Sequence, residues 1–123
     1  MFFTIKILNE MKDFLFLFRT DYKAMPKASP EEMQAVTKRW MDWIGGIAAQ
    51  NKLTDRGNRL VPSGKVLKPG NVITDGPYTE IKESLAGYSI VKAASLEEAT
   101  ELAKGCPGLQ LGGTVEVREI DVM

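Results

Sequence analysis

The sequence has no histidine, a single cysteine and no net charge, and each shortage removes a class of function. Without imidazole there is no Ser-His-Asp or Cys-His nucleophile, no histidine general base and no histidine-bound metal. A lone thiol, Cys106, can close no disulfide within the chain and build no cysteine-rich zinc site. Basic and acidic side chains number 16 each, which argues against direct nucleic-acid binding, where lysine and arginine normally dominate. No stretch approaches the ~20 apolar residues of a membrane helix. The apolar run within Met1–Glu10 is short, is interrupted by Lys6 and leads to no small-residue cleavage site, so it makes a poor signal peptide. The cytoplasm is therefore the expected location. Met11 offers a second start just before a strong strand. Residues 1–10 read as an N-terminal extension, either from an upstream start or as a short extra strand, and residues 11–123 as the domain.

What is present suits one compact domain. A chain of 123 residues with 44% hydrophobic and 26% charged residues can bury a real core and is not disordered in composition. Residues 13–19, Asp-Phe-Leu-Phe-Leu-Phe-Arg, are an apolar run too short for a helix and predict a central strand. Ser29, Pro30 and Glu32 form a capping box with proline at the first helical position. Met33, Val36, Trp40, Trp43, Ile44 and Ile47 then recur at spacings of three and four, predicting a helix over 30–51. Strands are expected at 52–60 and 65–68. Pro69-Gly70 suits the centre of a type II turn, from which 71–74 returns as a hairpin arm. Asp75-Gly76-Pro77-Tyr78 should break that ladder, with a short helical turn over 79–84. A strand follows at 85–93. A second capping box, Ser95 with Glu98, opens a helix over 95–105 with Leu96, Ala99, Leu102 and Ala103 inward. Residues 106–113 read as a loop and 114–122 as a last strand, with a bulge near Arg118-Glu119.

The order β-α-β-(hairpin)-β-α-β predicts an α+β fold: a ferredoxin-like sandwich, an antiparallel sheet with two helices on one face. Such a sheet leaves one face uncovered. The first strand is apolar on both sides, Phe14, Phe16 and Phe18 against Leu15 and Leu17, so the uncovered face needs a partner. A second copy supplies it as a homodimer, a dimeric α+β barrel.

The segment Thr74-Asp75-Gly76-Pro77-Tyr78-Thr79-Glu80-Ile81-Lys82-Glu83 resembles the signature of the DGPF proteins, a branch of the YCII-related family. Met11–Arg19, Trp40-Met41-Asp42-Trp43-Ile44, Leu85-Ala86-Gly87-Tyr88, Ala103-Lys104-Gly105-Cys106-Pro107 and Gly112–Arg118 agree with it in order, so the resemblance spans about residues 11–120. It implies a dimeric barrel of ferredoxin-like halves and, for some relatives, an association with sigma-factor-like transcription regulators. It implies no particular reaction. Relatives were thought enzymatic because of a histidine on the first helix and an Asp-Pro pair after the second. Here Trp40 falls at or near the histidine position and Cys106-Pro107 at the Asp-Pro position, so that acid–base pair is absent.

Candidate site residues each carry a plainer alternative. Asp75 beside apolar walls could act as a general base, or simply cap a turn. Glu83 could hydrogen-bond a ligand, or form a solvated charged pair with Lys82. Arg19 and Arg59, each ending an expected strand, could clamp a carboxylate or phosphate, or form rim salt bridges. Trp40 and Trp43 with Tyr78 and Tyr88 could wall a pocket, or pack as core. Cys106, after a helix C-terminus, reads as structural. Gly112-Gly113 precedes a strand and makes no phosphate loop. No metal or cofactor is expected. The leading expectation is a homodimer binding an unidentified small molecule at a barrel mouth framed by Asp75, Tyr78, Glu83, Trp40, Arg19 and Arg59. The other is a sensing or interaction module with a transcription regulator as partner.

Overall fold

The computed structural model describes residues 10–21, 28–76 and 84–122. The fold is an α+β ferredoxin-like sandwich. Strands β1 (Lys12–Thr20), β2 (Leu53–Asp55), β5 (Ser84–Ala93) and β6 (Thr114–Glu119) form one antiparallel sheet in the order β2-β5-β1-β6. Helix α1 (Pro30–Ala49) and helix α2 (Leu96–Ala103) complete the two βα units. Strands β3 (Gly64–Lys68) and β4 (Val72–Gly76) pair only with each other, as a hairpin inserted between β2 and β5.

The core sits on the helix side of the sheet. Phe14 and Phe16 of β1, Val91 and Ala93 of β5, Ile47 of α1, and Ala99 and Ala103 of α2 are buried together, with Phe18, Trp43, Leu53, Leu102, Val115 and Val117 packed around them. Alternation along the strands sends Leu15, Leu17, Tyr88 and Ile90 to the opposite face, where they are half-buried. The apolar stripe of α1 buries progressively toward its C-terminal end. Met33 is exposed, Val36, Trp40, Trp43 and Ile44 are half-buried, and Ile47 is buried.

The Ser29 capping box forms as its sequence dictates, with Glu32 N–H donating to Ser29 Oγ at 3.2 Å and Ser29 N–H to Glu32 Oε1 at 3.4 Å. The helix stops at Ala49, with Gln50 as cap and Asn51 turning to φ 59°. The second box closes on one side only. Ser95 Oγ accepts from Glu98 N–H at 3.1 Å, but the Glu98 carboxylate turns to Lys52 Nζ at 2.9 Å. The helix it opens is shorter than expected, and Leu96 in its first turn stays exposed.

Three strand expectations are corrected. The strand expected at 52–60 is only Leu53–Asp55, because Gly57 turns the chain at φ 74° against β5. A Cβ there would lie 1.7 Å from the Tyr88 carbonyl oxygen, so the close approach requires glycine. The chain rejoins at an isolated bridge, Arg59 opposite Gly87. The bulge lies not in β6, which pairs with β1 in unbroken register from Thr114 to Glu119, but between β1 and β5. There Phe18 faces Gly87 while Arg19 faces Leu85, and the Ala86 carbonyl between them accepts from Leu60 N–H at 2.8 Å. The apparent change of parity at Ile120 arises because Ile120 follows the strand, its N–H still bonded to Asp13 O at 2.9 Å. Finally, Asp75 and Gly76 extend the hairpin ladder, facing Lys65 and Gly64. Both keep a backbone N–H to donate, and only Pro77 lacks one. The hairpin loop takes three residues, since Asn71 as well as Gly70 has positive φ and pairing resumes at Val72. Residues 106–113, read as loop, contain a 3-10 helix, Pro107–Leu111.

Candidate functional site

Two places in the fold hold the residues of interest. The first is the junction of α1, α2 and the 3-10 helix. Trp40 and Trp43 project from α1 at a spacing of three and meet the phenylalanine row of β1. Trp43 stacks on Phe16, centroids 6.0 Å apart and planes 11° apart, and meets Phe18 edge-on at 5.9 Å. Trp40 stands edge-on to Phe18 at 5.0 Å and to Trp43 at 5.6 Å. Trp43 Nε1–H donates to Leu102 O at 2.9 Å, tying α1 to the end of α2. The backbone is fitted around these rings. A Cβ on Gly105 would come within 2.8 Å of Trp43 Cδ1. Gly108 lies against both the Trp40 ring and Cys106 Sγ, 3.3 Å and 3.6 Å from where its Cβ would be. Cys106 is 2% exposed. Burial pushes its thiol from 9.0 up to about 11, against the opposing pull of the Gly108 and Leu109 N–H groups, so it stays protonated and unreactive at neutral pH.

The second place is the open face of the sheet. Cross-strand register aligns Tyr88, Leu17 and Glu116 in one row, and Ile90, Leu15 and Arg118 in the next. Glu116 is shared by two guanidinium groups. Arg19 Nε and Nη2 each lie 3.4 Å from its Oε1, and Arg118 Nη1 lies 3.1 Å from its Oε2. The Arg118 hydrogen bond, with Arg19 beside it, holds the Glu116 carboxyl below the usual carboxylate range. Tyr88 Oη accepts from Asn58 Nδ2 at 3.3 Å.

The fold does not gather all the sequence-predicted residues into one pocket. Arg19 is on the open face, paired with Glu116. Trp40 is on the helix side, within the aromatic cluster. Arg59 is exposed at its bridge with Gly87. Asp75 sits on the hairpin with its side chain 88% exposed and ion-paired to Lys65. Among the described residues it meets no apolar walls. Tyr78, Lys82 and Glu83, and the short helical turn expected over 79–84 up to Ser84, lie outside the described residues, as do residues 1–9. A groove of about 270 Å³ runs at the foot of the hairpin, lined by Leu60, Val61, Pro62, Val66 and Leu85 among others. Its lining includes Lys65, the partner of Asp75, but none of the sequence-predicted site residues. Sequence reasoning missed Glu116 and Arg118. Their alternate positions in the last strand were the only signal, and it becomes readable once the β1–β6 register is known. Among the described residues no cluster of three acidic or cysteine side chains could hold a metal, and no helix is long and apolar enough to cross a membrane.

The family model for the YCII-related domain matches residues 14–123, nearly the whole chain. The chain belongs to the YCII-related family. A comparison with curated proteins gave no match. Membership gives the first junction its meaning. The two positions that the resemblance sets against the relatives' histidine and aspartate, Trp40 and Cys106, are neighbours here across Gly108. They hold an indole and a protonated thiol. Neither accepts a proton at neutral pH.

Proposed function

We propose that this YCII-related protein is a small cytoplasmic homodimer of the DGPF branch, with the open sheet faces of two copies turned toward each other as an α+β barrel that binds a small molecule. The observation that carries this reading is the composition of the open face. Leu15, Leu17, Tyr88 and Ile90 occupy adjacent rows on a sheet whose other face already has its helices. Apolar rows on an uncovered sheet gain about 25 cal/mol for each Å² removed from water. The Trp40–Cys106 junction favours binding over acid–base catalysis. If proton transfer occurs, Asp75 and Glu83 are the carboxylates proposed for it, with Arg19, Trp40, Tyr78 and Arg59 framing the ligand. Asp75 in solvent beside Lys65 gives that role little support. Sedimentation tests the dimer: it should hold at micromolar concentration and dissociate on Leu17→Lys, and a wild-type monomer there contradicts the reading. Full turnover of an identified substrate by Asp75→Asn would remove the catalytic role.

A second reading rests on the hairpin. Leu67 and Ile73 face each other across it, 67% and 65% exposed, next to the Lys65–Asp75 pair. Such a patch suits a protein partner, and a sigma-factor-type regulator is the one proposed. Co-purification with that regulator should be lost in Leu67→Lys/Ile73→Lys. Unchanged binding by that variant would remove the hairpin from the contact.

A further inference from the structure

We propose that the ligand of the open face is a small organic carboxylate with an apolar body, selected by the Arg19–Glu116–Arg118 cluster. This rests on the binding reading above and specifies the ligand's chemistry. The cluster joins two guanidinium groups to one carboxylate and so carries an excess of one positive charge. The Arg118 hydrogen bond holds the Glu116 carboxyl below its ordinary value, which favours its ionised form. Asp13 and Lys92, opposite each other on this face, carry opposite charges, and Asp13 Oδ1 accepts from Thr54 Oγ1 at 2.7 Å. The arginines are incompletely used. Among the described residues, Arg19 reaches Glu116 through Nε and Nη2 at 3.4 Å and Arg118 engages it through Nη1, so that guanidinium nitrogens on both remain to meet a second carboxylate. Planar guanidinium groups suit bidentate pairing with carboxylates. Beside them the apolar rows supply the rest of the site. Leu17 is opposite Glu116 and Leu15 opposite Arg118, with Tyr88 and Ile90 the next neighbours across β5. A neutral apolar molecule would use the rows and leave the excess charge unanswered. A bare inorganic anion would do the reverse.

The full chain should be titrated with benzoate and with benzamide, its neutral counterpart, following the methyl resonances of Leu15, Leu17 and Ile90 by NMR. Benzoate should shift them and bind at least about tenfold more tightly than benzamide, the margin expected of a charge-assisted pair. Added salt should narrow that margin. Arg118→Met should weaken benzoate binding. Glu116→Gln should strengthen it several-fold, because it removes the competing carboxylate, whereas a merely structural cluster would lose binding in both variants. Equal binding of the two probes at these methyls overturns the carboxylate preference and leaves the small-molecule reading standing. No shift with either probe overturns both.

Discussion

Trp43 is the side chain on which the helix layer turns, and its removal can be valued in two steps. Trp43→Phe keeps a ring beside Phe16, Phe18 and Trp40 but deletes the Nε1–H that donates to Leu102 O at 2.9 Å. The carbonyl is left half-buried without that partner, at a cost of about 1–2 kcal/mol. Trp43→Ala also deletes the ring contacts and opens a cavity between α1 and β1, for a total of about 3–5 kcal/mol. A domain of this length holds roughly 6–18 kcal/mol in all, so the alanine variant loses a large fraction of it. Urea melts followed by far-UV circular dichroism avoid relying on the fluorophore being removed. The expected order is wild type, then Trp43→Phe, then Trp43→Ala, with an unchanged denaturant slope. A loss below about 1 kcal/mol for Trp43→Ala would refute the claim that this indole joins the helices to the sheet.

Four more outcomes follow from the same geometry. Cys106 should react with an alkylating reagent at about pH 8 roughly 100-fold more slowly than an unfolded thiol, since two units separate the folded value of about 11 from 9.0, and comparable rates would contradict its burial. Because the folded thiol titrates higher than the unfolded one, its contribution is complete below pH 9.0 and is lost as pH rises toward about 11; it amounts to about 3 kcal/mol, and Cys106→Ala should remove that part of the alkaline decline. The lowered Glu116 carboxyl has the opposite sign: its stabilisation is present at neutral pH and lost as pH falls through the acid range, so Glu116→Gln should flatten the acid limb of the stability profile, and an unchanged limb would count against the shared ion pair. Gly57→Ala should destabilise by several kcal/mol, on the order of 2–4, because both φ 74° and the Tyr88 carbonyl oppose a side chain, and a neutral effect would mean the 56–58 segment does not hold this path.

The features legible in the sequence are those whose physics is local. The Ser29 box, the apolar run of β1 and the spacing of Trp40, Trp43 and Ile47 each lie within a few residues and needed no knowledge of neighbours. With element order they were enough for the two-layer fold. What escaped depends on contacts distant in sequence. Gly57 cuts β2 short only because Tyr88 passes beneath it. Glu98 abandons half of its capping box because Lys52 arrives from another element. Arg19 was recognisable as a strand-end cation, but its partner Glu116 lies 97 residues away and emerges only from the β1–β6 register. Asp75 was misplaced for a related reason. Its environment is set by Lys65 across the hairpin, not by the proline that follows it.

The absence of histidine has a structural counterpart. The helix-side junction is closed by apolar and neutral groups. Trp40 takes an edge-on place against Phe18, Gly108 presses on it without a side chain, and Cys106 closes the far side as a buried, protonated thiol. A lone polar side chain placed at Trp40 or Cys106 would therefore sit among apolar neighbours, which is costly. Packing of this kind makes the helix side of the sheet a structural layer. On the other face Arg19, Glu116 and Arg118 join two guanidinium groups to one carboxylate. The open face, with its apolar rows beside these three charged groups, is the face the proposed ligand would use.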